Sequence, residues 1–306
     1  MFYFIILNRN GKHFLEDCIP TLFNQTHKNI KIIIIDTMST DKSVEYINSL
    51  NDKRIELIIE DKERGYAYKN NLGIKKALQD PLCELICLLN NDTKINKDFC
   101  KEMIKASKNK GVGILSPKYL YMGTNKIQVA GGGNFTKENL TGEKQIGHDE
   151  LDTGQYEKNT LIDFGYGAGW AMNPQAFRKV GLLDPNWIFG FEEPDFCLRA
   201  KRFGYTTMYV PKAIVEHAVG GSSKAKKNKR VLLTIKLVYA RNYLRFLIKH
   251  YPIKKAISFE LKRFVKILLN ITKPHVIILE VYSIIWNILN LPLTLKLKKQ
   301  KRENYE

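Results

Sequence analysis

Acidic residues are in short supply. The chain has 31 Asp+Glu against 49 Lys+Arg, a formal net charge of +18. The shortage is local: residues 224–306 hold 20 Lys+Arg and 4 Asp+Glu, while residues 1–223 are close to neutral. Cysteines number 5, an odd count with no Cys-x-x-Cys pair. That excludes a disulfide framework or a structural zinc site and points to a reducing compartment. Long apolar runs are also scarce. Residues 1–7 are apolar, but they are few and have no basic residues ahead of them. They read as a buried strand and not as a secretory signal, so a cytoplasmic body is expected. The glycine clusters at 131–133 and 165–169 match neither the phosphate-loop nor the dinucleotide pattern. What is present, 44% hydrophobic and 26% charged over 306 residues, is a globular composition with ample length for a packed core.

The first hundred residues alternate apolar runs with helical patterns, the mark of βαβ units and a parallel sheet. Runs at 2–7, 30–35, 55–59 and 85–89 predict strands. Phe14, Leu15, Cys18, Ile19, Leu22 and Phe23 share a helical face, which Pro20 should kink unless it marks a first turn. Ser39, Thr40 and Asp41 offer N-caps for a helix through Leu50. Residues 66–78 read as a helix with Ala67, Asn70, Ile74 and Ala77 inward. Residues 116–162 read as strands and loops wrapped on the same domain. Helices are expected at 174–180 and 196–203, and a strand at 206–210 with His217 shortly after it.

Asp36 and Asp92 each follow a predicted strand. Ligands of open α/β sheets bind outside the carboxyl ends of strands, so both carboxylates are expected in one crevice. Each has a plain structural alternative as a helix cap. Functionally, Asp92 suits a Mg²⁺ or Mn²⁺ ion, which takes hard oxygen donors. Asp36 suits a nucleobase N–H, because a buried carboxylate needs donors. Glu192, Glu193 and Asp195 could simply complement a helix macrodipole. Clustered among phenylalanines, they should instead repel and desolvate one another, which raises a carboxyl pKa toward that of a neutral-pH base. His217 is either structural or a ligand.

In order and content these segments resemble the family 2 inverting glycosyltransferases of GT-A fold, and among them the bacterial rhamnosyltransferase-like members. Phe4 to Gly11 resembles the opening strand and loop. Ile35-Asp36-Thr37-Met38-Ser39-Thr40-Asp41 resembles the nucleoside-binding segment, and Gly65-Tyr66-Ala67-Tyr68-Lys69-Asn70-Asn71-Leu72-Gly73 the glycine-bounded helix. Leu89-Asn90-Asn91-Asp92 stands where the D-x-D motif stands, with Asn90 in place of the first acid. Phe191-Glu192-Glu193-Pro194-Asp195 resembles the catalytic-base block, with Glu192-Glu193 in place of Glu-Asp. The resemblance implies a mostly parallel α/β sheet flanked by helices and inverting transfer from a nucleoside-diphosphate sugar, dTDP-rhamnose or a UDP-sugar. It also implies an Mn²⁺ or Mg²⁺ ion on Asp92 and His217. Glu193 stands at the base position with Glu192 and Asp195 beside it. Asn8, Asn10, Asp36, Ser39, Asn70, Asn91 and Gly167 stand in the donor-binding segments.

The basic tail alternates cations with bulky aliphatics: Arg241, Arg245 and Lys249, then Lys262, Arg263 and Lys266. Residues 276–295 are largely apolar but interrupted by Glu280, Asn287, Asn290 and Pro292, and flanked by Lys296, Lys298, Lys299, Lys301 and Arg302. This predicts a basic amphipathic helical extension, 224–306, lying on an anionic membrane behind a catalytic domain at 1–223. A solvated bundle packed on the body is the alternative. So many aliphatics argue against nucleic acid as a partner. The expected place is the inner face of the plasma membrane, with a lipid-linked glycan or polysaccharide as acceptor. The competing readings are a nucleotidyltransferase on a similar sheet and a non-enzymatic basic binder.

Overall fold

The computed structural model describes residues 1–137, 140, 145–187, 190–218, 229–269 and 274–299. Readings that fall on Phe189, on Gly220-Gly221-Ser222-Ser223, on the boundary at 223/224, on Lys301 and Arg302, and on the side chains of Lys266 and Lys299 lie outside the described residues. The N-terminal elements are β1 (Phe2–Asn8), α1 (Lys12–Phe23), β2 (Ile30–Thr37), α2 (Ser43–Ser49), β3 (Ile55–Glu60), α3 (Tyr66–Ala77), β4 (Leu85–Asn90), β5 (Thr93–Ile95) and α4 (Phe99–Ser107). Then come β6 (Val112–Tyr121), β7 (Ile127–Ala130), β8 (Gly132–Gly133), β9 (Thr160–Ile162), β10 (Phe164–Gly165), β11 (Gly169–Met172), α5 (Pro174–Val180), α6 (Glu192–Arg202) and β12 (Thr206–His217). Four helices follow: α7 (Lys229–His250), α8 (Ile253–Leu269), α9 (Pro274–Leu289) and α10 (Leu291–Lys299).

Among the described residues the main sheet runs β3-β2-β1-β4-β11-β6-β12-β5, with β7 beside β6 and β9 beside β12. β1, β2, β3 and β4 are parallel; β11 runs antiparallel between β4 and β6, and β12 is parallel to β6. The period of two splits each central strand between two cores. Phe2, Phe4 and Ile6 join Ile32, Ile34, Leu15 and Phe99 on the face covered by α1 and α4. Tyr3 and Ile5 join Ile33, Ile35, Ile74 and Phe196 on the face covered by α3, α5 and α6. Burial on both faces explains the near-continuous apolar strands; each enclosed Ile or Leu contributes about 1.5–3 kcal/mol. α1 runs through Pro20, held by buried Ile19 and Leu22 on either side.

Four expectations change. α2 begins at Ser43, so of the three cap candidates Ser39 and Thr40 lie too early, while Asp41 Oδ1 accepts its first N–H at 3.1 Å. α6 begins at Glu192, four residues earlier than expected, so the three acids lie in its first turn. β12 extends to His217, because β5 pairs with its far end. The apolar stretch 276–295 is not one helix; it breaks between α9 and α10. No helix among the described residues is long and apolar enough to cross a membrane.

Candidate active site

The strand order reverses at β1, with β2 on one side and β4 on the other. Register aligns Asn8 with Asp36, and Leu7 with Asn90, so three strands end at one edge. That is the switch point where α/β sheets take ligands. A cavity of about 570 Å³ opens there. Its walls include Asn8, Asn10, Asn91, Asp92, Gly167, Glu192, Glu193 and His217. Residues separated by more than a hundred positions in sequence therefore face one space.

A chain of amides lines its floor. Asn91 Nδ2 donates to Asn8 Oδ1 at 2.7 Å, and Asn8 Nδ2 donates to Asp36 Oδ2 at 2.7 Å. Asp36 is buried one link behind the wall; Ser39 also donates to it, through its hydroxyl at 2.7 Å and its N–H at 3.1 Å. Ser39 Oγ accepts the Asn10 N–H at 2.8 Å. Asp36 and Ser39 thus hold the loop at residues 8–10 and do not line the cavity. Gly11 is required here, since a Cβ would collide with Asn91 Nδ2 and Asn8 Oδ1.

On the opposite side, β5 pairs antiparallel with β12 and sets His217 against Thr93. His217 Nε2 then stands 3.2 Å from Asp92 Oδ1, both largely buried. The second ring nitrogen, Nδ1, faces Gln128 Oε1 at 3.0 Å, while Gln128 Nε2 donates to the Tyr166 hydroxyl at 2.8 Å. With Nδ1–H donating to Gln128 Oε1, Nε2 presents its lone pair toward the Asp92 carboxylate, with Asn90 Nδ2 3.4 Å from the same nitrogen. Two acceptors facing each other suit a shared cation, and the outer partner on Nδ1 is the usual support of a metal-bound histidine. No group of three or more His, Cys, Asp or Glu side chains is placed to hold a metal among the described residues. Asp92 and His217 are a two-donor set.

The glutamates enter from the N-terminus of α6. Glu192 is buried, and its Oε1 has no hydrogen-bond partner. Burial, then the charge of Glu193, raises its carboxyl well above the usual range. Glu193 faces the cavity, and desolvation raises it from 4.5 to about 7. The macrodipole and first-turn N–H groups favour the anions, but desolvation outweighs them. Glu193 packs against Gly167, where a Cβ would collide with its Oε1. The Tyr66 hydroxyl donates to the Gly167 carbonyl at 3.1 Å.

Besides Asp36 and Ser39, two further expected site residues lie outside the cavity lining. Asn70 donates to the Tyr66 carbonyl one turn back and is buried in α3. Asp195 is fully buried away from the cavity. Its Oδ1 meets Lys249 Nζ at 2.6 Å and His250 Nε2 at 2.7 Å, and its Oδ2 meets Arg199 Nε at 2.9 Å. Burial alone would raise it, yet Lys249, Arg199 and His250 hold it well below the usual carboxylate range. The physical reason is the early start of α6: two helical positions are about 200° apart, so Glu193 and Asp195 cannot face one space.

The cavity also holds Arg9, Phe14, Tyr66, Lys69, Asn90 and Tyr166, which sequence reasoning did not assign. Lys69 is buried and pairs with Glu63 at 2.8 Å, and Arg9 meets the same Glu63 at 3.4 Å. Lys69 lies more than about 100° around the helix from the mean direction of Ala67, Asn70, Ile74 and Ala77, so the helical pattern carried no signal for it. Gln128 carried none, since its role depends on β7 lying beside β6.

Comparison with known proteins gives this geometry a relationship. The family model described as Glycosyl transferase family 2 matches residues 3–181. The Haloferax volcanii low-salt glycan biosynthesis hexosyltransferase Agl10 is 25% identical over 187 residues, which are 61% of this chain and 58% of that protein. The Shigella flexneri dTDP-rhamnosyl transferase RfbF is 19% identical over 221 residues, 72% of this chain and 70% of that one. Among solved structures, GalNAc-T7 with UDP, GalNAc and Mn²⁺ superposes with a TM-score of 0.58 at 17% identity, over 79% of this chain and 50% of that chain. The Pyrobaculum calidifontis mannosyltransferase PcManGT, in complex with GDP-Man and Mn²⁺, gives 0.54 at 14% identity, over 95% and 86%. These likenesses show a GT-A-type fold. The chain spans little more than half of the Haloferax protein and half of GalNAc-T7. Glu192, Glu193 and His217 lie beyond the matched residues 3–181.

Proposed function

The chain belongs to glycosyl transferase family 2, and on that premise we propose that it transfers a sugar, with inversion, from a nucleoside diphosphate to an acceptor hydroxyl. One observation carries the reading: a carboxyl raised to about 7, Glu193, shares a cavity with the Asp92–His217 pair. Glu193 takes the proton from the acceptor hydroxyl as its oxygen attacks the anomeric carbon. Glu192 is the more deeply buried of the two, with Oε1 unpartnered and its carboxyl raised well above the usual range, so Glu193 is the base of the two. The nucleoside lies along the Asn8–Asn91 floor, held by the loop that Asp36 and Ser39 fix. Asn70 acts only through α3, by placing Tyr66 and Lys69. Arg9 and Lys69 line the same cavity and supply cations for the diphosphate.

An Mn²⁺ or Mg²⁺ ion fits Asp92 and His217, whose lone pairs face one another. When bound, it neutralises negative charge on the leaving diphosphate as a Lewis acid. dTDP-rhamnose is the favoured donor, supported by the Shigella relative, with UDP-sugars next. The acceptor is a lipid-linked glycan at the inner face of the plasma membrane, in cell-surface polysaccharide synthesis. Residues 1–223 are the catalytic domain and 224–306 the membrane-associating region. A nucleotidyltransferase would leave Glu193 with no proton to take.

Glu193→Gln tests the reading. Turnover should fall by about 10²–10⁴-fold, while a panel of nucleotide-sugars still raises the thermal midpoint. Retained turnover would remove Glu193 from the mechanism.

A further inference from the structure

α9 is built inside out. Its buried face is polar: Ser283 donates to the Ala240 carbonyl at 2.7 Å, and Asn287 Nδ2 donates to the Arg241 carbonyl at 2.9 Å, both on α7. Its outer face is aliphatic. Ile278 is 67% exposed, Val281 41%, Ile285 53%, Ile288 65% and Leu289 74%. At 100° per residue these five fall within about a third of the helix circumference. A water-facing helix shows the reverse pattern, with its apolar stripe against the core.

α8, packed beside it, repeats the theme. Ala256 and Glu260 are buried, while Ile253, Ile257, Leu261 and Val265 form an exposed stripe. Lys254, Lys255 and Lys262 are exposed and adjoin that stripe on the same helix. Lys296 is exposed on α10. Exposed apolar patches of this extent mark an interaction surface.

We propose that the aliphatic faces of α8 and α9 enter the interfacial layer of an anionic lipid bilayer, with Lys254, Lys255, Lys262 and Lys296 on the headgroups. The charge selects this occupant. A second copy of the same face would bring lysines against lysines, whereas anionic lipid complements them. The one-sided aliphatics, and the lack of any spanning helix among the described residues, place the bundle on the membrane and not through it. The other tail cations serve differently. Arg245 and Lys249 are buried against the body, with Lys249 on Asp184 and Asp195, so they are not available to lipid. The assignment deepens the membrane-acceptor reading by naming the surface that meets the membrane.

The test is sedimentation of the full chain with phosphatidylcholine vesicles, and with vesicles holding an equal share of phosphatidylglycerol, with no nucleotide-sugar present. The chain should bind the anionic vesicles and not the neutral ones. Ile285→Glu with Ile288→Glu should release it. Lys254→Glu, Lys255→Glu and Lys262→Glu together should weaken binding by roughly 100-fold or more. These positions are exposed, so thermal midpoints should hold; Leu261→Glu is a second aliphatic variant should the first misfold. The proposal is overturned if wild type stays in the supernatant, if it binds both vesicles equally, or if the glutamate variants bind like wild type. It is also overturned if wild type is a dimer that the Ile285/Ile288 variant dissolves. Transfer to a water-soluble acceptor, measured on the same variants, separates failure of the surface from failure of the transferase reading.

Discussion

Gly167 decides how close the base can come to the sheet. Any side chain there collides with Glu193 Oε1, so Gly167→Ala should push the carboxylate aside while leaving the β-sheet intact. A shift of about 1 Å can cost about 10²-fold in rate. Steady-state kinetics should show that loss in kcat, with the thermal midpoint nearly unchanged. Gln128 acts on the other wall through the tautomer of His217. Gln128→Leu removes the amide oxygen that faces Nδ1 at 3.0 Å. Mn²⁺ affinity, read calorimetrically with nucleotide present, should fall about 10–100-fold. Unchanged affinity would mean that the imidazole is oriented by something else.

At the scale of elements, α7 is the brace behind α6. Lys249 joins Asp184, on the loop before α6, to Asp195 on α6, at 2.7 and 2.6 Å. The rings of Tyr239 and Phe246 pack, tilted, against Phe191 with centroids 5.0 and 5.3 Å away. Phe191 has φ +77, a region that bulky residues rarely adopt, and it directly precedes Glu192. Such strain costs about 1–3 kcal/mol and persists where surrounding packing enforces it. The brace therefore fixes the turn that delivers both glutamates. Lys249→Met leaves Asp184 and Asp195 short of a buried cation, and should lower stability by about 3–5 kcal/mol in denaturant unfolding. The helical pattern of α7 was legible in the sequence. Its buried lysine was not, because periodicity reports a face and not the partner that the face meets.

Over the whole molecule, among the groups that pH acts on, His250 and Glu193 shift in opposite directions. Burial lowers His250 from 6.5 to about 4, so the unfolded chain takes the proton first and stability falls as pH drops from 6.5 toward 4. Glu193 is raised from 4.5 to about 7, so the folded chain takes the proton first and stability rises as pH drops from 7 toward 4.5. These two shifts are similar in size and oppose one another; those of Glu192, raised, and Asp195, lowered, also oppose one another. Activity has no such compensation, since a base must be ionised. kcat/KM should fall tenfold per pH unit below about 7 while circular dichroism reports a folded chain down to about pH 5. Coincident loss of activity and fold would show that acid inactivates by unfolding.

The sequence by itself determined β1 to β4, the first half of β12, most helices and the acids near strand ends. Burial on two faces demands continuous Ile and Leu runs, and a turn after each run leaves its polar residues at one sheet edge. Asn8, Asn91, Asp92, Glu193 and His217 could be nominated from that logic and from the resemblance of their segments. Only the tertiary structure decided which carboxylates share the cavity. Asp36 stands behind Asn8, and Asp195 turns away from Glu193, because side-chain direction depends on strand register and on the residue at which a helix starts. Only the fold, too, turned the polar side of α9 inward. Hydropathy along the chain cannot say which face of a helix meets protein and which is left for another phase.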